Sequence, residues 1–297
     1  MTEPRDGSDT GTEEPWTIAR LLRWSTDDLR QRGSTSPRLD AELLLARTLK
    51  CDRIRILIDG ARPLSPGELQ HYRELHKRRR RGEPVAYLLG EREFYGRTFL
   101  VDRRVLVPRP ETEHLVEVAL ERTREVSLGA RVLDLCTGSG AVAITLKKER
   151  PTTQVVASDV SIDALAVAKD NALRLGALIA FVQSDGFDAL GTDAVKLDLI
   201  TANPPYIPEA NHATLPVDVR AFEPKVALTS GADGLDLTRR IVAAAPHALV
   251  TGGVLAVEID APSSHAVREL FEAAGFEAIT VTRDYAGLDR IVSGRRK

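Results

Sequence analysis

The stretch Val132-Leu-Asp-Leu-Cys-Thr-Gly-Ser-Gly140 combines a short apolar strand with a glycine-containing turn, and a helical pattern follows over residues 141–148. Farther along the chain, apolar segments of strand length alternate with segments of helical spacing as far as residue 292. This alternation is typical of a parallel sheet that is covered by helices on both faces. We therefore predict an α/β domain over residues 108–297, with ligands beyond the carboxyl ends of its strands.

Three segments precede the predicted α/β domain. Residues 1–15 are polar and lack an apolar period, which predicts a disordered tail. Residues 16–82 carry apolar stripes with helical spacing, and Ser65-Pro-Gly-Glu68 has the pattern of a helix start. Residues 83–107 are predicted to form a β-hairpin linker, because apolar and polar positions alternate over residues 87–101 around two glycines.

The composition limits the classes of protein to which the chain can belong. Its 297 residues are 43% hydrophobic and carry a formal net charge of −2, so the chain is not built to bind nucleic acid by bulk attraction. The N-terminus does not resemble a secretory signal, no apolar run is long enough to span a bilayer, and only two cysteines occur. We expect a cytoplasmic protein without a metal, a membrane contact or stable nucleic-acid binding.

Lys77-Arg-Arg-Arg-Arg81 is a strongly basic run at the end of the predicted helical segment. It has the pattern of a solvated helix end, where cations interact favourably with the helix dipole. It also has the charge of a patch that meets an acidic or RNA-bearing partner. The sequence leaves both interpretations open.

Three successive predicted strands are each followed or ended by an acid: Asp134, Asp159 and Asp185. Gly138 and Gly140, with Thr137 beside them, let the backbone approach a ligand at a helix N-terminus. Asp159 can accept hydrogen bonds from both ribose hydroxyls, and Asp185 can accept one from an adenine amine. The glycines alone would suit NAD, a flavin or S-adenosylmethionine, but the third acid favours S-adenosylmethionine.

Asn203-Pro-Pro-Tyr206 follows the fourth predicted strand and has the pattern of a clamp for a planar NH2 group. The lone pair of such a group is conjugated, so the reaction needs positioning more than a strong base. The Asn203 side-chain oxygen and the Pro204 carbonyl can each accept one N–H, Pro205 helps to fix the loop, and Tyr206 can stack on the target. With the acids, the clamp predicts methyl transfer from S-adenosylmethionine to a conjugated nitrogen.

From about residue 16 to its end, the chain resembles the HemK family of protein N5-glutamine methyltransferases. The motifs that carry the resemblance are Asp40-Ala-Glu-Leu-Leu44, Glu83-Pro-Val-Ala-Tyr87, Glu93-Phe-Tyr-Gly96, Val105-Leu-Val-Pro-Arg-Pro-Glu-Thr-Glu113, Val132 to Gly140, Asn203 to Tyr206, Glu223-Pro224 with Ala227-Leu228, and Gly231 through Asp236. One stretch, Asp260 to His265, departs from the family pattern.

The resemblance implies a helical N-terminal domain for substrate docking, a hairpin linker and a seven-stranded, Rossmann-like class I S-adenosylmethionine-dependent methyltransferase domain. It implies that Asn203 and Pro204 hold a glutamine amide, that Tyr206 shapes its pocket, and that Phe94 and Pro108 lie near the methionine end of the cofactor. The implied substrate is the glutamine of the Gly-Gly-Gln motif in peptide-chain release factors. Glu111 and Glu113 are either ligands in that site or an acidic first helical turn.

Three other functions share features of this sequence. An adenine-N6 DNA methyltransferase has the same clamp, but it needs base flipping and a DNA-reading domain. A ribosomal-protein glutamine methyltransferase also has the clamp, although residues 93–96 and 108–113 look more like the enzymes that act on release factors. A non-catalytic S-adenosylmethionine sensor would leave an intact clamp without a purpose.

Overall fold

The computed structural model describes residues 15–126, 129–189 and 195–297. The described chain divides into two compact units, of which the first holds residues 15–90 with Val217–Phe222, and the second holds Glu91–Pro216 and Glu223–Lys297. The predicted disordered tail lies outside the described residues, apart from Pro15. Within the described ranges, no helix is both long enough and apolar enough to cross a membrane.

The first unit is all-helical, as predicted, and its apolar stripes pack into one core that includes Leu21, Leu44 and Tyr72. Ser65 starts the fourth helix through a capping box, in which its hydroxyl accepts from the Glu68 N–H at 3.3 Å and Glu68 accepts from the Ser65 N–H at 2.8 Å. The helices of this unit are α1 (Ile18–Gln31), α2 (Pro37–Leu49), α3 (Arg53–Ile58), α4 (Pro66–Arg79), α5 (Val85–Leu89) and α9 (Val217–Arg220).

Three members of the basic run at residues 77–81 form ion pairs with acids of their own unit. The pairs are Arg78–Glu83 at 2.7 Å, Arg79–Asp40 at 2.8 Å and Arg80–Asp28 at 3.3 Å. Because these acids belong to α1, α2 and the segment after α4, the pairs fasten the end of α4 to its neighbours. Most of the run therefore stabilises the helical unit, which favours the structural interpretation.

The β-hairpin is shorter than predicted, and a helix precedes it. Residues 87–89 belong to α5, which buries Tyr87 and Leu88 and ends at Gly90 with a left-handed φ of 77°. The apolar residues that predicted a strand there form one face of this helix. The hairpin itself pairs β1 (Glu91–Phe94) with β2 (Arg97–Leu100), and Tyr95 and Gly96 make the turn with positive φ values.

The second unit contains the predicted seven-stranded sheet, in the order β5-β4-β3-β6-β7-β9-β8. Neighbouring strands pair in parallel, except that β9 runs antiparallel to both β7 and β8. The strands are β3 (Arg131–Leu135), β4 (Gln154–Asp159), β5 (Ala180–Gln183), β6 (Leu197–Ala202), β7 (Leu249–Glu258), β8 (Phe276–Arg283) and β9 (Asp289–Arg296). The helices of this unit are α6 (Glu113–Arg122), α7 (Ala141–Glu149), α8 (Ile162–Leu175), α10 (Asp236–Ala248) and α11 (Ser264–Ala273).

Alternate side chains of β3 enter two cores on opposite faces of the sheet. Val132 packs in the core that contains residues of α6, α7 and α8, whereas Leu133 and Leu135 pack with residues of α10 and α11. The chain proceeds from β3 to β4 and β5 on one side and then continues with β6 on the other side. The carboxyl ends of β3 and β6 therefore form the crevice in which such sheets bind ligands.

Val217–Phe222, a segment of the predicted α/β domain, packs with the helical unit instead. Gly82, whose φ is 91°, leaves room for Val217, because a Cβ on this glycine would lie 2.8 Å from Val217 Cγ1. A single helical turn carries too few apolar positions to show from sequence which unit it joins.

Candidate active site

A cavity of about 310 Å³ lies beyond the carboxyl ends of β3, β4, β5 and β6, and its volume is in the range of small-molecule sites. Eight residues predicted for the site line it: Pro108, Asp134, Thr137, Gly138, Asp159, Asp185, Asn203 and Pro205. Four others do not line it: Phe94, Gly140, Pro204 and Tyr206. The fold thus brings all three acids and the asparagine to one cavity.

Asp134 is the fourth residue of β3, and its carboxylate is almost fully buried. Its Oδ2 accepts a hydrogen bond from the Thr137 hydroxyl at 2.6 Å, and its Oδ1 accepts one from the Thr201 hydroxyl at 2.7 Å. Burial raises the pKa of Asp134 to about 6, against the opposing effect of these hydrogen bonds. Asp134 therefore holds the loop after β3 and joins that strand to β6.

The loop after β3 requires left-handed backbone at Cys136, Gly138 and Gly140, whose φ values are 56°, 54° and 82°. Cys136 thus occupies a conformation that favours glycine. Gly138 lines the cavity and has open space where a Cβ would stand. Gly140 is not among the residues that line the cavity, and a Cβ there would lie 2.9 Å from Ile144 Cδ1 and 3.2 Å from Ala168 Cβ. Gly140 therefore permits close packing of α7 against α8, while its contact with the cofactor stays a prediction.

Asp159 is the last residue of β4, and backbone donors orient both of its oxygens. Its Oδ2 accepts from the Gly138 N–H and its Oδ1 from the Ser161 N–H, both at 2.9 Å. Burial is the largest influence on this carboxyl and raises its pKa. Each oxygen keeps a second lone pair, so the oriented carboxylate can still accept hydrogen bonds from a ligand.

Asp185 lines the cavity and forms an ion pair that sequence analysis did not anticipate. Arg240 of α10 donates through Nη1 to both carboxylate oxygens at 3.1 Å, and both side chains are half exposed. Exposed ion pairs contribute little free energy. A ligand amine could therefore share the Asp185 carboxylate with Arg240 at small cost.

Asn203 directly follows β6 and lines the cavity where the strand order reverses. Its Nδ2 donates to the Thr112 hydroxyl at 3.2 Å, and Oδ1, the acceptor, lies on the other side of the amide. Pro205 lines the cavity, whereas the Pro204 side chain is buried. Tyr206 is partly buried outside the cavity lining, and burial, with a smaller effect of Glu258, raises its pKa to about 12.

The loop that carries Asn203 is fastened by the segment before α10. The Ile207 N–H donates to the Leu228 carbonyl at 3.0 Å, and the Ser230 N–H donates to the Ile207 carbonyl at 3.0 Å. Gly234 has a φ of 84°, and a Cβ there would lie 2.2 Å from the Tyr206 carbonyl oxygen. The family motif around residue 234 therefore has a physical reason, since only glycine lets the two backbones approach this closely.

Two residues near the hairpin have structural roles. Phe94 is the last residue of β1, is 1% exposed and packs edge-on against Phe99 with a centroid distance of 6.0 Å. The side chain packs in the apolar core, and its expected place near the methionine end of the cofactor stays a prediction. Glu113 accepts a hydrogen bond from the Tyr95 N–H at 2.8 Å and so fastens the hairpin turn.

Several residues of the site could not be predicted from the sequence. Arg109 lines the cavity, and its Nη2 donates to both oxygens of the buried Glu223 at 2.8 and 2.7 Å. Thr112 binds Asn203, and Val160 presents an exposed apolar side chain next to Asp159. Arg109 and Thr112 stood inside a quoted motif, but no pattern indicated their partners, which lie about a hundred positions away.

Both parts of the chain match known family models. The model described as PrmC N-terminal domain matches residues 20–90, and the model described as methyltransferase small domain matches residues 112–221. The sheet also resembles that of the Thermus thermophilus 16S rRNA methyltransferase RsmC, solved in complex with AdoMet and guanosine. That structure has a TM-score of 0.53, is 18% identical, and the match covers 70% of this chain and 50% of that one. This likeness concerns the fold alone.

Curated relatives match nearly the whole chain. The release factor glutamine methyltransferase of Rhodopirellula baltica is 43% identical, with 96% of this chain and 98% of that protein covered. The protein of the same name from Geobacter sulfurreducens is 42% identical, with 96% and 99% covered. Identity of this extent, with both family models and the seven-stranded sheet, shows that the chain belongs to the release factor glutamine methyltransferase family.

Proposed function

We propose that this chain transfers the methyl group of S-adenosylmethionine to the side-chain nitrogen of the glutamine in the Gly-Gly-Gln motif of peptide-chain release factors. Family membership supports the reaction class and the protein substrate. The observation that carries the proposal is that Asn203 shares one cavity with Asp134, Asp159 and Asp185. A hydrogen-bond acceptor for an NH2 group thus lies beside acids suited to a nucleoside.

The cavity suits S-adenosylmethionine because its polar groups match those of a nucleoside. Asp159 would accept from the ribose hydroxyls, since the Gly138 and Ser161 N–H groups already orient it. Asp185 would accept from the adenine amine, and the exposed side chain of Val160 would cover the ring. When bound, S-adenosylmethionine supplies a methyl group on a positively charged sulfur, which keeps the bonding electron pair as the methyl group leaves.

The clamp would make a poor nucleophile reactive by orienting it. Asn203 Oδ1 and the Pro204 carbonyl would each accept one N–H of the glutamine amide, which directs the nitrogen lone pair away from these two acceptors. Both hydrogen bonds strengthen as the nitrogen becomes positively charged during methyl transfer. The methylated nitrogen then releases one proton to water and regains its amide conjugation. Tyr206 and Pro205 would shape the surface against which the amide lies.

Mass spectrometry of a purified release factor after incubation with the protein and S-adenosylmethionine tests the proposal. We expect a mass increase of one CH2, which fragmentation assigns to the glutamine of the Gly-Gly-Gln motif. A release factor with alanine in place of that glutamine should stay unmodified. Parallel reactions with ribosomal proteins and with DNA distinguish the alternatives, because methylation of either, with the release factor unmodified, would contradict the proposal.

A further inference from the structure

Glu258 is a buried carboxylate beside the proposed clamp, and the function described above does not use it. It is the last residue of β7 and is 2% exposed. Ala202 of β6 pairs in register with Val257 of β7, so the next residues of the two parallel strands, Asn203 and Glu258, lie side by side. Among the described residues, Glu258 Oε2 has no hydrogen-bond partner although it is buried. A buried carboxylate oxygen without a donor is costly, which indicates a role beyond packing.

The polar groups around Glu258 come from three other elements of the second unit. The Thr112 hydroxyl and the Asn203 amide both lower the pKa of the Glu258 carboxyl, as does the positive charge of Arg290, while Glu111 raises it. Burial outweighs all of them and raises this pKa to about 7. The side chain of Tyr206 also interacts with Glu258. The register of β6 with β7 places the carboxyl beside Asn203, whose amide donates to the Thr112 hydroxyl at 3.2 Å.

We propose that Glu258 is a positioning residue, which acts with the Thr112 hydroxyl to fix the Asn203 amide with its oxygen toward the cavity. This inference rests on the proposed function. Asn203 Nδ2 has two hydrogens, of which Thr112 accepts one, and Glu258 Oε2, which has no other donor among the described residues, is the acceptor that we assign to the second. The Thr112 hydroxyl, which accepts from Nδ2, is then free to donate its own hydrogen to the carboxylate.

The orientation of the Asn203 amide decides whether the clamp can bind an NH2 group. With Nδ2 toward Thr112 and Glu258, Oδ1 can accept an N–H of the substrate. In the flipped orientation, Nδ2 would point its hydrogens at the hydrogens of the substrate. A protonated Glu258 can donate its hydrogen to the Thr112 hydroxyl. The hydroxyl can then donate to Asn203 instead of accepting from it, which favours the flipped amide. The ionised carboxylate is therefore the form that supports methyl transfer.

Steady-state methylation of a release factor, measured across pH with the full-length protein, tests this role. We expect Glu258→Gln to lower kcat about 10-fold to 100-fold, which is less than the loss expected for removing the clamp acceptor itself, with little change in cofactor affinity. In the wild type, kcat should rise with pH through the pKa of Glu258, and this inflection should be missing in Glu258→Gln. Thr112→Val should lower kcat, whereas Thr112→Ser should restore it. Glu277→Gln, at an exposed position of β8, is the matched control.

NMR of the Asn203 side-chain amide, identified by its loss in Asn203→Ala, gives a readout that does not need turnover. Its resonances should titrate with pH in the wild type and stay constant in Glu258→Gln. An Asn203 amide that does not titrate, together with equal kcat profiles for wild type and Glu258→Gln, would overturn the inference. If the amide titrates but the release factor stays unmethylated, the positioning role is supported and the proposed function is contradicted.

Discussion

Asp159 and Asn203 line the same cavity, but their surroundings prepare them for different tasks. Asp159 receives two backbone N–H groups and can offer its charge to hydroxyl groups, whereas Asn203 is held through its nitrogen and can offer a neutral oxygen. The first arrangement suits binding of a ligand that is present throughout the reaction. The second suits a contact that strengthens only as charge develops.

Replacing Asp159 with Asn should weaken cofactor binding and leave the fold intact. The substitution removes a charged acceptor, and hydrogen bonds to charged groups contribute about 1.5–3 kcal/mol, which corresponds to a rise of about 10-fold to 100-fold in the Kd for S-adenosylmethionine. Isothermal titration calorimetry measures this Kd directly. Asp163→Asn, at an exposed position of α8, should bind like the wild type. An unchanged Kd for Asp159→Asn would place the ribose elsewhere.

Single residues of the site could be predicted from sequence where the residue type and its place at the carboxyl end of a strand define the role. Asp134, Asp159 and Asn203 meet this condition, and all three line the cavity. Phe94 does not, because an aromatic residue at a strand end can face either a ligand or the core. Glu258 also ends a strand, but its importance depends on the register of β6 with β7, which the sequence does not contain.

At the scale of elements, the buried side chain of Asn171 on α8 joins the hairpin to the loop after β3. Its Oδ1 accepts from the Leu100 N–H at 2.7 Å, and its Nδ2 donates to the Leu100 and Ser139 carbonyls at 3.0 and 2.9 Å. One side chain thus satisfies three backbone groups. It fixes the end of β2 and the glycine loop relative to α8.

Asn171→Leu should destabilise the second unit, because its apolar side chain leaves these backbone groups without partners. Each buried unsatisfied group costs about 1–3 kcal/mol, and the two groups of the partly exposed Leu100 regain some hydrogen bonding to water, so we expect a loss of about 2–4 kcal/mol in the free energy of unfolding. Urea denaturation followed by circular dichroism measures it. Lys169→Leu, at an exposed position of the same helix, should change stability by less than about 0.5 kcal/mol. Equal midpoints for the two variants would contradict this role of Asn171.

The observed strands and helices agree with the predicted ones where the apolar pattern extends over enough residues to show its period. The helix predicted over residues 141–148 is observed at Ala141–Glu149, and strands and helices alternate from residue 131 onward as predicted. The short helix α5 was misassigned, since five residues are too few to separate a period of two from one of 3.6. The hairpin turn was correctly located by Tyr95-Gly96, where the backbone has positive φ.

At the scale of the whole molecule, two buried carboxyls make stability depend on pH in an unusual direction. Burial raises the pKa of Glu258 from 4.5 to about 7 and that of Asp134 from 3.8 to about 6. At a pH between its unfolded and folded pKa values, each of these carboxyls retains in the folded protein a proton that it has released in the unfolded chain. The free energy of unfolding should therefore fall as pH rises through this window, by about 3 kcal/mol for Glu258. Carboxyls with a lowered pKa, such as Asp233 at about 2, change the free energy of unfolding only at lower pH.

Urea midpoints across the window from pH 4.5 to 7 test this dependence. Glu258→Gln should be less sensitive to pH than the wild type and more stable at the upper end, because the amide has no charge to bury. The exposed control Glu277→Gln should follow the wild type. If stability rises with pH in the wild type, or if Glu258→Gln shows the same slope, the burial of this charge is not the cause.

The overall architecture could be predicted because the alternation of strands and helices and the family motifs point to the same fold. The position of the cavity follows from rules for parallel sheets, whereas the place of the antiparallel β9 between β7 and β8 is known only from the structure. The membership of Val217–Phe222 in the helical unit could not be predicted, since it depends on a close approach at Gly82. Long-range pairs such as Arg109 with Glu223 are likewise properties of the folded chain.

The methylation rate of Asn203→Ala on a release factor, with the cofactor at saturation, tests the central claim most directly. We expect a fall of about 10²–10³ in kcat with an unchanged Kd for S-adenosylmethionine, because the variant loses a contact that stabilises the transition state. Asn211→Ala, at an exposed position after the clamp, should keep the wild-type rate. A normal rate for Asn203→Ala would show that the asparagine does not hold the reacting amide.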